Sequence, residues 1–146
     1  MGGEVTPAEP AHLPRIDLGL RESCGTCRAC LDACPTTAIV GDKTVDARRC
    51  LSYLTIELKG PIPAEFREAL GDWVFGCDIC QEACPWNRVT PAATEPAFAP
   101  ADDSAAWPSL TGLLKLDDAG FRARFRHTPV WRTRRRGLLR NAAIAL

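Results

Sequence analysis

The stretch Cys24-Gly25-Thr26-Cys27-Arg28-Ala29-Cys30-Leu31-Asp32-Ala33-Cys34-Pro35 constrains this chain more than any other. Three thiols recur at every third position, a fourth follows after three intervening residues, and proline comes directly after it. A [4Fe-4S] cubane needs a thiolate at each of its four iron corners, and a tight loop with a cysteine at every third position supplies three of them from one side. Cys34 is too near along the chain to wrap round to the far corner. Pro35 also biases it toward extended backbone, away from the loop. The spacing therefore predicts that Cys34 serves a second cluster.

A second run exists. Cys77-Asp78-Ile79-Cys80-Gln81-Glu82-Ala83-Cys84-Pro85 ends as the first does, with an acid, alanine, cysteine and proline in the same order, which marks an internal duplication. This run is one thiol short, and Cys50 is the only cysteine left to complete it. The expected partition is Cys24, Cys27, Cys30 and Cys84 around one cluster, and Cys34, Cys50, Cys77 and Cys80 around the other. That pattern belongs to bacterial ferredoxins. It predicts an α+β, ferredoxin-like double [4Fe-4S] domain over residues 23–90. Zinc would ask for paired C-x2-C knuckles, and a disulfide framework for a short secreted chain. Neither accounts for the triple spacing with C-P. Thiols kept reduced for metal point to the cytoplasm. No apolar run approaches the roughly 18 residues of a membrane span, so no membrane partner is expected.

The remaining segments arrange themselves around the two runs. Residues 1–22, with Pro7, Pro10 and Pro14, suit an extended linker or a truncated end. Pro35 to Val40 suits a short helical turn opened by proline, and Leu31, Ala38, Ile39, Val40 and Val45 are the expected apolar wall around the clusters. Between Asp46 and Gly76 lies a helical insertion. Its first helix would take Asp46 as N-cap. The second would start at Pro63, carry Phe66 and Leu70 on one face and stop at Gly71. Residues 91–109 are a Pro/Ala-rich linker, and 110–146 a basic helical extension. Within it Leu110, Leu113 and Leu114 are helix-spaced, and Asp117 or Asp118 caps the turn that carries Phe121 and Phe125. Leu138, Leu139, Ala142 and Leu146 would lie on one face of a final helix. A stripe reaching the last residue implies a partner helix not present in the sequence.

The stretch Asp46-Ala47-Arg48-Arg49-Cys50-Leu51-Ser52-Tyr53-Leu54-Thr55-Ile56-Glu57-Leu58-Lys59-Gly60, with Gly76-Cys77-Asp78-Ile79-Cys80 and Cys84-Pro85-Trp86-Asn87, resembles the iron-sulfur half of bacterial epoxyqueuosine reductase. The likeness runs from about Ser23 to Asn87 and includes residues that are not ligands. In that family a cobalamin-binding domain comes first, and the clusters feed electrons to the cobalt, which reduces the epoxide of a modified wobble nucleoside in tRNA to queuosine. The resemblance implies an oxidoreductase, a cobalamin-binding domain or subunit as partner, an external electron donor, and Ser52 and Asp78 near the cobalamin. About 20 residues precede Cys24, so the cobalamin domain is expected to be absent from this chain, which would then not perform the reaction alone. The resemblance also implies that residues 110–146 begin a helical repeat.

Charge is unevenly placed. Residues 121–146 hold eight arginines and no acid, leaving the other ten bases against all 18 acids in the first 120 residues. Arg132, Arg134, Arg135, Arg136 and Arg140 are therefore candidate contacts to tRNA phosphates, against the plainer reading of a solvated basic helix face. Two other functions fit the motifs. One is a free-standing ferredoxin-type carrier with two [4Fe-4S] clusters serving another oxidoreductase. The other is an RNA-binding module with structural clusters.

Overall fold

The computed structural model describes residues 24–41, 44–89, 94–96 and 108–146. The linkers expected over 1–22 and 91–109 lie almost wholly outside them. The described part is helix-rich with one two-stranded sheet, an α+β arrangement. Helix α1 (Ala29–Ala33) carries the end of the first cysteine run. Strands β1 (Ile39–Gly41) and β2 (Thr44–Val45) pair antiparallel, with Ile39 opposite Val45. Helices α2 (Leu51–Ile56) and α3 (Ala64–Leu70) form the insertion. Helix α4 (Ile79–Glu82) carries the second run and continues into a 3-10 turn at Pro85–Val89. Helices α5 (Leu110–Leu114), α6 (Asp118–Phe125) and α7 (Arg134–Ala145) make the extension, with a 3-10 turn at Pro129–Thr133 ahead of α7.

Local chemistry explains most boundaries. Pro63 precedes the first residue of α3, and Gly71 ends it at φ 49, a conformation that a residue with a Cβ rarely adopts. Asp117 caps α6 by accepting from the Gly120 amide at 2.7 Å. Two expectations need correction. Pro35 to Val40 is a turn followed by β1, because the β-branched pair Ile39-Val40 favours extended backbone once Thr44-Val45 is there to pair with it. Asp46 does not cap α2. Its carboxylate takes the Arg48 amide and guanidinium in a local turn, and Cys50 stands at the N-cap instead.

Two apolar clusters form the interior. Leu51, Leu54, Ile62 and Leu70 make the first, with Phe66, Cys77 and Ile144 packed on it. Leu113, Phe121, Leu138 and Ala142 make the second, with Val74 and Trp131 at its margin. Each buried leucine contributes about 1.5–3 kcal/mol relative to exposure. Helix α7 belongs to both clusters, through Ile144 in one and Leu138 and Ala142 in the other. Within the chain α7 packs on α2, α3 and α5, which covers Leu138 and Ala142 of its apolar stripe. Leu146, 72% exposed, is not part of the buried stripe.

Polar bonds join α7 to the insertion. Asn141, fully buried, donates its Nδ2 to the carbonyls of Thr55 and Val74, each at 2.8 Å. Thr133 Oγ1 donates to the same Thr55 carbonyl at 2.8 Å. Arg140 fans its guanidinium over the carbonyls of Leu54, Leu58 and Gly60 beyond the end of α2. A cation there also complements the negative end of the helix. The Thr133 side chain comes so near α7 that a Cβ on Gly137 would overlap its Oγ1. Gly137→Ala would stabilise an isolated helix by about 1 kcal/mol. Here the sign should reverse, with a loss of about 1–3 kcal/mol from overpacking, measured by chemical denaturation.

Candidate metal centres

The first run, the end of the second and the small sheet surround one cleft of about 670 Å³. Five thiols reach it, those of Cys24, Cys27, Cys30, Cys80 and Cys84, and Leu31, Ile39 and Val45 supply apolar wall. Gly25, at φ 48, turns the backbone between Cys24 and Cys27. Helices α1 and α4 lie side by side, which carries Cys84 from the second run across to the thiols of the first. Ala38 is buried beneath the strand. Val40, at 59% exposure, points away from the cleft, because alternate residues of a strand face opposite ways, and Val45 lines the cleft while remaining 53% exposed.

The converse exchange brings Cys34 to the second run. Burial pushes the Cys77 thiol up, a backbone bond from Ile79 partly offsets this, and the nearby thiols of Cys50, Cys80 and Cys34 push it further by repelling a thiolate. Cys50, Cys80 and Cys34 thus lie within electrostatic reach of Cys77, although Cys34 and Cys80 lie in different runs. Cys34 has extended backbone, as Pro35 requires. Burial pushes its thiol up, but donors from the Ala38 and Ile39 amides and from Thr36 outweigh that and leave it lowered. The Ala38 amide stands 3.2 Å from the sulfur. Such N–H···S bonds favour the thiolate that metal binding needs.

Several of these supports were not foreseen in the sequence. Arg49 donates Nε to the Thr36 carbonyl at 3.0 Å and bonds the Thr37 hydroxyl, so the residue before Cys50 holds the loop after Cys34. Thr55 accepts the Gly76 amide at 3.0 Å and fixes the backbone just before Cys77. Gly76 needs φ 77 to make that turn. The only available signals were a basic residue beside a cysteine and a glycine before one, and neither specifies a partner.

Among the described residues no three His, Cys, Asp or Glu side chains converge closely enough to hold a single metal ion. One tetrahedral zinc would hold its thiolates about 4 Å apart, given Zn–S bonds of about 2.3 Å. A cubane sets each thiolate outside its own iron corner and needs a wider spread, with an apolar wall that limits water.

The remaining expected site residues divide. Ser52 and Asp78 sit within two residues of Cys50 and Cys77, which places both at the second thiol group, with the Asp78 side chain exposed. Neither lines the thiol cleft. Arg140 turns its nitrogens inward, to Asn141 and to the carbonyls of Leu54 and Leu58. Arg135 binds the Leu116 carbonyl at 2.7 Å and lies 3.7 Å from Asp118. Arg132 pairs with Glu57 at the surface. Arg134 lies over the Trp131 ring at 5.2 Å, and Arg136 is exposed. No helix among the described residues is long and apolar enough to cross a membrane.

Comparison with known proteins agrees with this geometry. Residues 23–87 match the model of the family described as a 4Fe-4S double cluster binding domain. The chain is 47% identical over 130 residues to an epoxyqueuosine reductase from Cellulophaga algicola, covering 86% of this chain and 40% of that one. It is 45% identical over 131 residues to the Escherichia coli epoxyqueuosine reductase, covering 90% and 34%. A crystal structure of epoxyqueuosine reductase with an epoxyqueuosine-modified tRNA-Tyr stem loop superposes with a TM-score of 0.79 at 40% identity, covering 84% of this chain and 32% of that one. The Bacillus subtilis structure gives a TM-score of 0.81 at 38% identity, covering 87% and 34%. The chain thus spans between 32% and 40% of the length of these relatives.

Proposed function

The chain is homologous to the epoxyqueuosine reductases through its double-cluster domain and helical extension, and on that premise we propose that it is the electron-relaying iron-sulfur portion of such an enzyme. The exchange of Cys34 and Cys84 between the two runs carries the reading. It suits two adjacent centres of a ferredoxin-like double cluster better than two separate metal knuckles. Cys24, Cys27, Cys30 and Cys84 would hold one [4Fe-4S] cluster, and Cys34, Cys50, Cys77 and Cys80 the other. Cys80 borders both groups. Its place beside Cys77 assigns it to the second, since Cys84 already completes the first. When bound, the clusters supply one-electron oxidation and reduction.

The protein's own residues set the conditions for that chemistry. Leu31, Ile39 and Val45 give the first site an apolar wall. The Ala38 amide and Thr36 hydroxyl stabilise the Cys34 thiolate at the second. Arg49 and Thr55 hold the backbone at Cys34 and Cys77 in place. Ser52 and Asp78, at the exposed margin of the second group, would face a cobalamin carried by a separate domain or subunit. That makes the second cluster the one next to the acceptor. Removing an epoxide oxygen as water consumes two electrons and two protons, so an external electron donor is required. The substrate would be epoxyqueuosine in tRNA, reduced to queuosine in the cytoplasm, with the basic extension on the nucleic-acid side.

The test is a mixing experiment. The cluster-loaded chain, reduced anaerobically and freed of excess reductant, should reduce a separately produced cobalamin-loaded domain of a related enzyme, seen as a change in the corrin absorption spectrum. An unchanged spectrum with a fully reduced donor would refute the relay.

A further inference from the structure

A cleft of about 550 Å³ opens between the turn at 58–61 and the first turn of α7, away from the thiols. Lys59, Arg134, Arg136 and Arg140 line it, and no carboxylate does. Arg140 forms part of the wall, its charge held in place by the carbonyls of Leu54, Leu58 and Gly60. Burial pushes this guanidinium down, and the neighbouring Arg136 pushes it further by like-charge repulsion. No carboxylate among the described residues pairs with Arg136. Among the described residues Lys59 reaches the Arg132 carbonyl alone, at the long distance of 3.5 Å. Arg134 stands at the rim with φ 63, a conformation uncommon for a residue with a Cβ. Lys59, Arg136 and Arg140 share the opening with no acid between them, and an entering anion would offset the repulsion that Arg136 exerts on Arg140.

We propose that this cleft is a phosphate-binding site, with Lys59 and Arg136 as the direct contacts, Arg134 at the rim and Arg140 as a fixed charge in the wall. Guanidinium and ammonium groups together match a phosphate's several acceptor oxygens. The phosphate belongs either to an RNA backbone or to a small free phosphate. The RNA source rests on the reading that tRNA is the substrate, whereas the phosphate chemistry does not.

Two assays on the cluster-loaded chain separate the sources. In the first, binding of an unmodified anticodon stem-loop RNA is followed by fluorescence anisotropy across a potassium chloride series. Lys59→Ala and Arg136→Ala should each weaken binding about five- to tenfold and reduce the slope of log K against log[salt] by about 0.9, the loss of one phosphate contact. Arg122→Ala, on α6 outside the cleft, should change affinity less than about twofold. In the second assay inorganic phosphate is titrated by calorimetry. Saturable phosphate binding lost in Arg136→Ala, with RNA affinity unchanged, assigns the site to a free phosphate. Both variants matching the unsubstituted chain in both assays would overturn the site. Neither assay measures electron transfer, so failure of the relay and failure of the site remain distinguishable.

Discussion

Anaerobic reconstitution will load about eight irons and about eight sulfides per chain, and Cys50→Ala will cut both to about four. Cys50 lies apart from both runs, at the N-cap of α2, where its backbone rather than its side chain supports the helix. The variant therefore keeps its fold and loses one ligand. Three thiols cannot hold the four iron corners of the second cluster, while the first retains all of its own. The grouping of variants is the sharper test. Cys34→Ala should give the same half-loaded spectrum as Cys50→Ala although it alters the first run. Cys84→Ala should match Cys24→Ala although it alters the second. Grouping by run would refute the exchange, and one or two zincs without iron would refute the clusters.

Asn141→Leu will be the most damaging single change outside the cysteines. The two side chains are similar in size, so the cavity term is small. What is lost is the Nδ2 donor to the Thr55 and Val74 carbonyls and the Oδ1 acceptor for Arg140 Nε, all in or beside the interior. Each buried carbonyl left without a partner costs about 1–3 kcal/mol. Thr133 still serves the Thr55 carbonyl, so about 3 kcal/mol in all is expected. For a chain of this size that lowers the melting midpoint by about 10 °C, measured by far-UV circular dichroism. Because Val74 precedes the turn into Cys77, and Thr55 binds Gly76, the second cluster should also be released faster in a chelator challenge. Loss of stability with unchanged cluster release would mean that α7 supports the core without supporting the metal site.

The thiols and the helices were legible to different degrees. The cysteine spacing, the duplicated ending and Pro35 predict a partition of the thiols, and the fold brings Cys84 to the cleft of the first run, with Cys80 beside it. The start and stop of α3 followed from Pro63 and Gly71, and the cap of α6 from Asp117. The turn after Cys34 departs from the helical expectation because Pro35 opens a helix as readily as a turn. Only pairing with Thr44-Val45 selects the extended form for Ile39-Val40. The five arginines looked alike in sequence, yet they divide by direction. Arg140 and Arg135 bond backbone carbonyls within the fold, Arg140 as part of the wall of an open cleft that Arg134 and Arg136 also line.

Taken alone, the sequence determined the chemistry that depends on neighbours a few residues apart: the cysteine spacing, the helix ends at proline and glycine, and the concentration of arginine toward one terminus. Only the tertiary structure decided how α7 folds back on α2, α3 and α5, how Thr55, Asn141 and Arg140 join the extension to the cluster domain, and which cations share a cleft without an acid. Those contacts close separations of 67 to 86 residues through side-chain donors aimed at backbone carbonyls. A backbone carbonyl is present at every residue, so nothing in the sequence says which one a distant arginine or asparagine will find until packing has brought the two together.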